Sequence, residues 1–294
     1  MSLRAKFVKK LVRLYLSGWS EGTLAEQRAW QEKNSRFSRL PAHVCRHPIS
    51  ADGVAAEWIE PDNPKQAVLL YLHGGAYALG LTNTHREFIA RLALATQMRA
   101  LIVCYRLAPE HPFPAALEDV ITAYRWLLSQ SYTPNQIVMI GDSAGGGLAL
   151  ATLLSLRDAG ELLPAAAVCI SPWTDLTLTS QSIHSKGQID PILDYEILKQ
   201  YAYFYGGQQD LTSPLISPLY ADLQGLPPLL IQVGTDEILL DDARQCAAKA
   251  RQAGVDVTLE IWEGMFHVFQ AIPFLPESKA ALGHIADYVC QRLS

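Results

Sequence analysis

Short runs of continuous apolar residues alternate with longer stretches in which apolar residues recur at helical spacing, and this alternation begins near residue 43. Residues 44–49 and 54–59, on either side of Asp52-Gly53, read as the two strands of a hairpin. Further strands are expected at 68–72, 100–105, 137–140, 166–170, 229–233 and 257–262. Helical spacing appears at 87–96, 117–128, 241–253 and 277–293. Strands that are apolar throughout, with helices between them, predict a mostly parallel sheet covered by helices on both faces.

Two stretches break the pattern. Residues 175–207 mix polar positions with the aromatic cluster Tyr201, Tyr203, Phe204 and Tyr205, and read as an insertion after the strand at 166–170. Residues 1–19 intersperse Arg4, Lys6, Lys9, Lys10 and Arg13 with Phe7, Val8, Leu11, Val12, Leu14, Tyr15 and Leu16. The charges interrupt any signal-peptide core, and the expectation is an amphipathic helix packed against its own protein rather than lying on a membrane. No run approaches the ~18 uninterrupted apolar residues of a spanning helix.

The strand at 137–140 runs directly into Gly141-Asp142-Ser143-Ala144-Gly145 and then into a helix-compatible run of small residues. A serine on so sharp a strand-to-helix turn is thrown outward, and the flanking glycines let strand and helix approach closely. The pentapeptide alone would arise by chance in roughly one such chain in ten, so its context carries the argument. A phosphate loop and a dinucleotide fingerprint both require other spacings. A serine hydroxyl needs a general base and a carboxylate to orient that base. Asp236 follows the strand at 229–233 and His267 follows the strand at 257–262, both beyond the carboxyl edge where such sheets gather reactive groups. The order Ser143, Asp236, His267 is the one this type of sheet uses. Asp241 and Asp242 are expected to favour a helix N-terminus instead. His73-Gly74-Gly75-Ala76 follows the strand at 68–72 and would supply oxyanion donors from Gly74 and Gly75, with Ala144 as the third. His73 is expected to brace that loop.

These blocks, together with residues 105–114 (YRLAPEHPFP) and Ser171-Pro172-Trp173-Thr174-Asp175, resemble the hormone-sensitive-lipase-like bacterial esterases of the α/β-hydrolase superfamily from about residue 43 onward. The resemblance implies an α/β-hydrolase fold with a helical cap, divided as N-terminal cap helices 1–42, core 43–175, cap insertion 176–210 and core 211–294. It implies a carboxylesterase acting on short- to medium-chain acyl esters through an acyl-enzyme on Ser143, with Asp236 and His267 completing the triad and Gly74, Gly75 and Ala144 forming the oxyanion hole. Ala76 departs from the usual third glycine of the loop.

Composition narrows the alternatives. With 294 residues, 49% of them hydrophobic, the chain can bury a large core. A net charge of −5 offers no electrostatic footprint for nucleic acid or an anionic bilayer, and small neutral molecules are the natural partners. Five cysteines without a C-x-x-C pair point to a reducing cytoplasm, and the chemistry calls for no metal or cofactor. A peptidase on this scaffold would carry an extra propeller-like domain, and a hormone receptor would have lost His267. The edge strand at 257–262 offers a surface for a possible homodimer.

Overall fold

The computed structural model describes residues 2–16 and 22–293, so the end of the 1–19 stretch lies outside the described residues. Eight strands form one sheet: β1 (Val44–Ala51), β2 (Val54–Pro61), β3 (Lys65–Leu72), β4 (Met98–Val103), β5 (Ile137–Asp142), β6 (Ala166–Ile170), β7 (Leu229–Gly234) and β8 (Val257–Trp262). Their spatial order is β1-β2-β4-β3-β5-β6-β7-β8. The hairpin β1–β2 and the pair β2–β4 are antiparallel, and the remaining pairings are parallel. This is the mostly parallel sheet expected from the strand pattern, and the arrangement is the one the resemblance implies.

The helices are α1 (Leu3–Tyr15), α2 (Leu24–Ser35), α3 (Asn83–Thr96), α4 (Ala115–Ser129), α5 (Ala144–Asp158), α6 (Gln181–Ser185), α7 (Tyr195–Gly206), α8 (Leu240–Gln252) and α9 (Pro276–Arg292). Successive residues of each central strand serve opposite layers. Leu70, Leu72, Met139 and Ile231 join a core with Leu127 of α4, Leu154 of α5 and Ala247 of α8. Leu69, Tyr71, Val138, Ile140 and Leu230 join a second core with Phe88 and Ile89 of α3 and Ile285 and Val289 of α9. Because both faces are covered, neither alternation nor polarity survives in these strands. At roughly 25 cal/mol per Å² of apolar surface buried, these two layers supply most of the driving force for folding.

Helix α3 begins four residues earlier than its apolar spacing predicts. Its first turn is polar, and Thr82 caps it by donating its backbone N–H to His85 Nδ1 at 3.0 Å. The stretch expected as an insertion contains α6 and α7. Among the described residues no helix is long and apolar enough to cross a membrane.

Candidate active site

Ser143 occupies the junction of β5 and α5 with φ 54° and ψ −122°, a conformation that costs an L-residue free energy and persists only where its surroundings fix it. The surroundings here are specific. Its amide donates to Ile170 O (2.8 Å), and its carbonyl accepts from the amides of Gly146 and Trp173, both at 3.0 Å. The turn is so tight that a Cβ on Gly145 would lie 2.0 Å from the Leu72 carbonyl oxygen, and one on Gly141 would lie 2.1 Å from the Gly145 carbonyl oxygen. Glycine at both positions is therefore a steric requirement of the elbow.

His267, on the loop after β8, is buried and bridges two partners. Its Nε2 lies 2.9 Å from Ser143 Oγ, and its Nδ1 lies 2.9 Å from Glu237 Oε2. Glu237 is wholly buried. Its second oxygen accepts the Gly234 amide at 2.6 Å and the Ser171 hydroxyl at 2.9 Å, and Ser171 Oγ in turn accepts the Val268 amide at 3.2 Å. Ser171, from the Ser-Pro-Trp block after β6, thus ties the carboxylate to the histidine loop.

The geometry corrects the sequence expectation for the acid. Asp236 is not brought to His267; its carboxylate receives Lys9 Nζ of α1 at 2.5 Å and the Thr235 hydroxyl at 3.3 Å. The Asp236 amide donates to Met265 O at 2.9 Å, which fixes how the loop passes the histidine strand. In that orientation residue 236 faces α1 and residue 237 faces inward. Two carboxylates adjacent in sequence cannot be told apart by their position beyond a strand, and the contact that separates them is tertiary.

Burial pulls the imidazolium of His267 toward neutrality, but the hydrogen bond and charge of Glu237, with smaller contributions from Asp190 and Asp142, outweigh it and raise the pKa above its ordinary value. Asp190, which sequence reasoning passed over, is almost fully buried, and burial lifts its carboxyl to about 6. It accepts the amides of Ile192 and Leu193 on one oxygen and of Ile238 on the other, joining the loop before α7 to the residue after Glu237.

The oxyanion loop also departs from expectation. Gly74 is not available as a donor to substrate, because its amide is engaged by Asp142 Oδ1 at 3.1 Å, an oxygen that also accepts the Tyr71 hydroxyl. The next two amides, Gly75 and Ala76, have no acceptor among the described residues, and neither does that of Ala144 at the start of α5. Ala76 adopts φ 51° and Gly75 φ 110°, so the alanine accepts the left-handed backbone that the usual glycine would take without strain. His73 stacks on Tyr105 with ring centroids 4.2 Å apart, and its Nδ1 donates to Gly74 O at 2.7 Å. Burial holds its pKa down to about 3, so it stays neutral and braces the loop. Arg28 of α2 adds a second brace, donating to the carbonyls of Ala78 and Ala108 and pairing with Glu110. Asp242, expected only to favour a helix N-terminus, is buried and accepts the amides of Thr174 and Asp175 and the Ser180 hydroxyl.

Ser143 and His267 open into a mainly apolar cavity of about 360 Å³, together with Gly75 and Ala76. Its walls come from α1 (Val12, Tyr15), α2 (Trp30) and α7 with its preceding loop (Ile192, Ile197, Tyr201). The volume falls within the range of pockets that enclose small ligands. Three other histidines lie elsewhere: His184 is exposed on α6, His111 is exposed in its loop, and His284 pairs with Glu260.

Comparison with known proteins identifies the family. The model of a family described as having the alpha/beta hydrolase fold matches residues 69–271. An acetyl-hydrolase of Streptomyces hygroscopicus is 49% identical over 235 residues, covering 80% of this chain and 79% of that protein. An esterase of Acinetobacter venetianus is 41% identical over 243 residues, covering 82% and 80% respectively. Among solved structures, an esterase from the bacterial hormone-sensitive lipase family superposes with a TM-score of 0.96 at 43% identity, covering 100% of this chain and 99% of that one.

Proposed function

Because the chain belongs to the α/β-hydrolase family, within its hormone-sensitive-lipase-like esterases, we propose that it hydrolyses short- to medium-chain acyl esters through a Ser143–His267–Glu237 triad. It is a carboxylic ester hydrolase, as its relatives are named. The observation that carries the finer reading is the unbroken relay from Ser143 Oγ to His267 to Glu237, each step at 2.9 Å, beside three amides without acceptors among the described residues.

Ser143 Oγ attacks the acyl carbonyl while His267 Nε2 takes its proton, and Glu237 holds the tautomer and stabilises the cation. The amides of Gly75, Ala76 and Ala144 receive the oxyanion, with the N-terminal dipole of α5 favouring the charge. His267 then delivers the proton to the departing alcohol, leaving the acyl-enzyme. Water, deprotonated by the same nitrogen, releases the acid and restores Ser143. In this account α1, α2 and residues 176–210 act as the cap, and the apolar walls they give the cavity favour a short acyl chain that fits beneath them.

The reading is tested by p-nitrophenyl esters from acetate to palmitate. Turnover is expected to be highest among short and medium chains and to fall steeply beyond them. Comparable rates on soluble short esters and long-chain triglyceride emulsions would overturn the chain-length assignment, and failure to hydrolyse any ester would overturn the function.

A further inference from the structure

Helix α1 has two apolar faces. One is used internally: Ala5 and Val8 are buried against Phe266, Phe269 and Leu275, and Val12 lines the cavity. The other is not used among the described residues. Phe7, Leu11 and Leu14 recur at i, i+4 and i+7, the repeat of a single helix face, and are 63%, 46% and 65% exposed. Two further exposed apolar side chains lie near the helix. Arg13 donates to the Ile189 carbonyl, placing the exposed Ile189 beside α1, and the exposed Phe274 precedes the Leu275 that packs on Ala5 and Val8.

Charge indicates what this face fits. The chain as a whole carries −5, yet α1 has five cations, Arg4, Lys6, Lys9, Lys10 and Arg13, and no acid. Lys9 turns inward to Asp236, and Arg13 is occupied by the carbonyls of residues 188–190. Arg4, Lys6 and Lys10 are exposed and have no ion-pair partner among the described residues. An exposed apolar stripe with unpaired cations on its flanks, within an otherwise acidic protein, is the pattern of a helix that lies in the headgroup layer of an anionic membrane.

We propose that the outer face of α1 docks this protein on an anionic lipid surface. The protein binds peripherally, with Phe7, Leu11 and Leu14 among the acyl chains and Lys6 and Lys10 at the lipid phosphates. Since Tyr15 and Val12 of the same helix wall the cavity, docking sets one side of the pocket against the lipid. If the esterase reading holds, an amphiphilic ester can then present its acyl end to Ser143 while its remainder stays in the membrane. The docking itself does not depend on that reading.

The test is sedimentation of the full-length protein with phosphatidylcholine vesicles and with vesicles in which a third of the lipid is phosphatidylglycerol. Binding is expected to the anionic vesicles and to weaken as salt is raised. Each basic residue near such a surface contributes about a fivefold gain in partitioning, so Lys6→Glu with Lys10→Glu is expected to lower binding by well over tenfold. Phe7→Ser with Leu11→Ser is expected to abolish it. These side chains touch neither the cavity nor the core, so both variants are expected to keep the wild-type circular dichroism and wild-type turnover of soluble p-nitrophenyl butyrate. Absence of sedimentation, or equal sedimentation with neutral vesicles, would overturn the proposal. So would a wild-type dimer in light scattering that becomes monomeric in Phe7→Ser/Leu11→Ser, since the face would then be an interface between copies of the chain. Loss of vesicle binding with ester turnover intact separates this inference from the catalytic one.

Discussion

Glu237→Gln is expected to lower kcat for a soluble ester by about 10³- to 10⁴-fold, the scale of losing the carboxylate that orients a catalytic histidine, whereas Asp236→Asn is expected to leave it nearly unchanged. The asymmetry follows from the contacts. Glu237 receives His267 Nδ1, the Ser171 hydroxyl and the Gly234 amide while wholly buried. A glutamine in its place must offer either its amide nitrogen or its oxygen to each of these donors, and it stabilises no imidazolium. Asp236 instead pairs with Lys9 of α1 and touches neither Ser143 nor His267, so its charge is not needed to orient the base. The same substitution is expected to change the pH profile. His267 must be neutral to accept the serine proton, so wild-type activity rises with pH through the raised pKa of His267 and is lost below it. Burial, which lowers that pKa, persists in Glu237→Gln, while the largest of the interactions that raise it is removed and only the smaller ones of Asp190 and Asp142 remain. The acid limb of kcat/KM is therefore expected to move to lower pH in Glu237→Gln and to stay in place in Asp236→Asn. A large loss in Asp236→Asn with little in Glu237→Gln would reverse the assignment.

Gly145→Ala is expected to be strongly destabilising. The new Cβ would stand 2.0 Å from the Leu72 carbonyl oxygen and 2.7 Å from that of His73. Both are backbone atoms at the end of a central strand paired on both sides, so no side chain can rotate away to relieve the clash. The cost is expected to be on the order of 4 kcal/mol or more, the exceptional class of point-mutant effects, which for a protein of this size lowers the melting temperature by roughly 6 °C or more. Any relief must come from separating α5 from the end of β3. That would displace the Gly75 and Ala76 amides relative to Ser143, so the folded fraction is expected to be slow as well. Calorimetry combined with ester turnover checks both parts, and a melting temperature within a degree or two of wild type would contradict the close approach.

The parts of the fold visible in the chain are those fixed by local pattern and burial. The central strands carry side chains to two separate cores, so they read as apolar runs, and the elbow is legible because glycines must flank its serine. Beyond these, sequence loses resolution where a side chain's direction depends on a distant contact. Asp236 and Glu237 are neighbours on one loop, and the bond from the Asp236 amide to Met265 O decides which of them faces His267. Gly74 and Gly75 looked like equivalent donors, and the carboxylate of Asp142, itself inside the elbow motif, takes the first amide and leaves Ala76 in the donor row. The first turn of α3 is polar and had no apolar repeat to show. Asp190 carried no motif at all; its importance lies in linking three backbone amides from two segments. The amphipathic character of α1 was legible, but which of its apolar positions would be buried depends on the groove beside Phe266 and Leu275.

The central claim is that Ser143 carries the acyl group. Treatment with the organophosphate diethyl p-nitrophenyl phosphate, followed by intact-mass measurement and peptide mapping, tests it most directly, because the phosphoryl-serine cannot complete the hydrolytic half of the cycle. The account predicts one diethylphosphoryl group per chain, located on Ser143, accumulating in step with the loss of ester turnover and absent in Ser143→Ala. Full inactivation with the label on another residue, or full retention of activity in a chain labelled at Ser143, would contradict it.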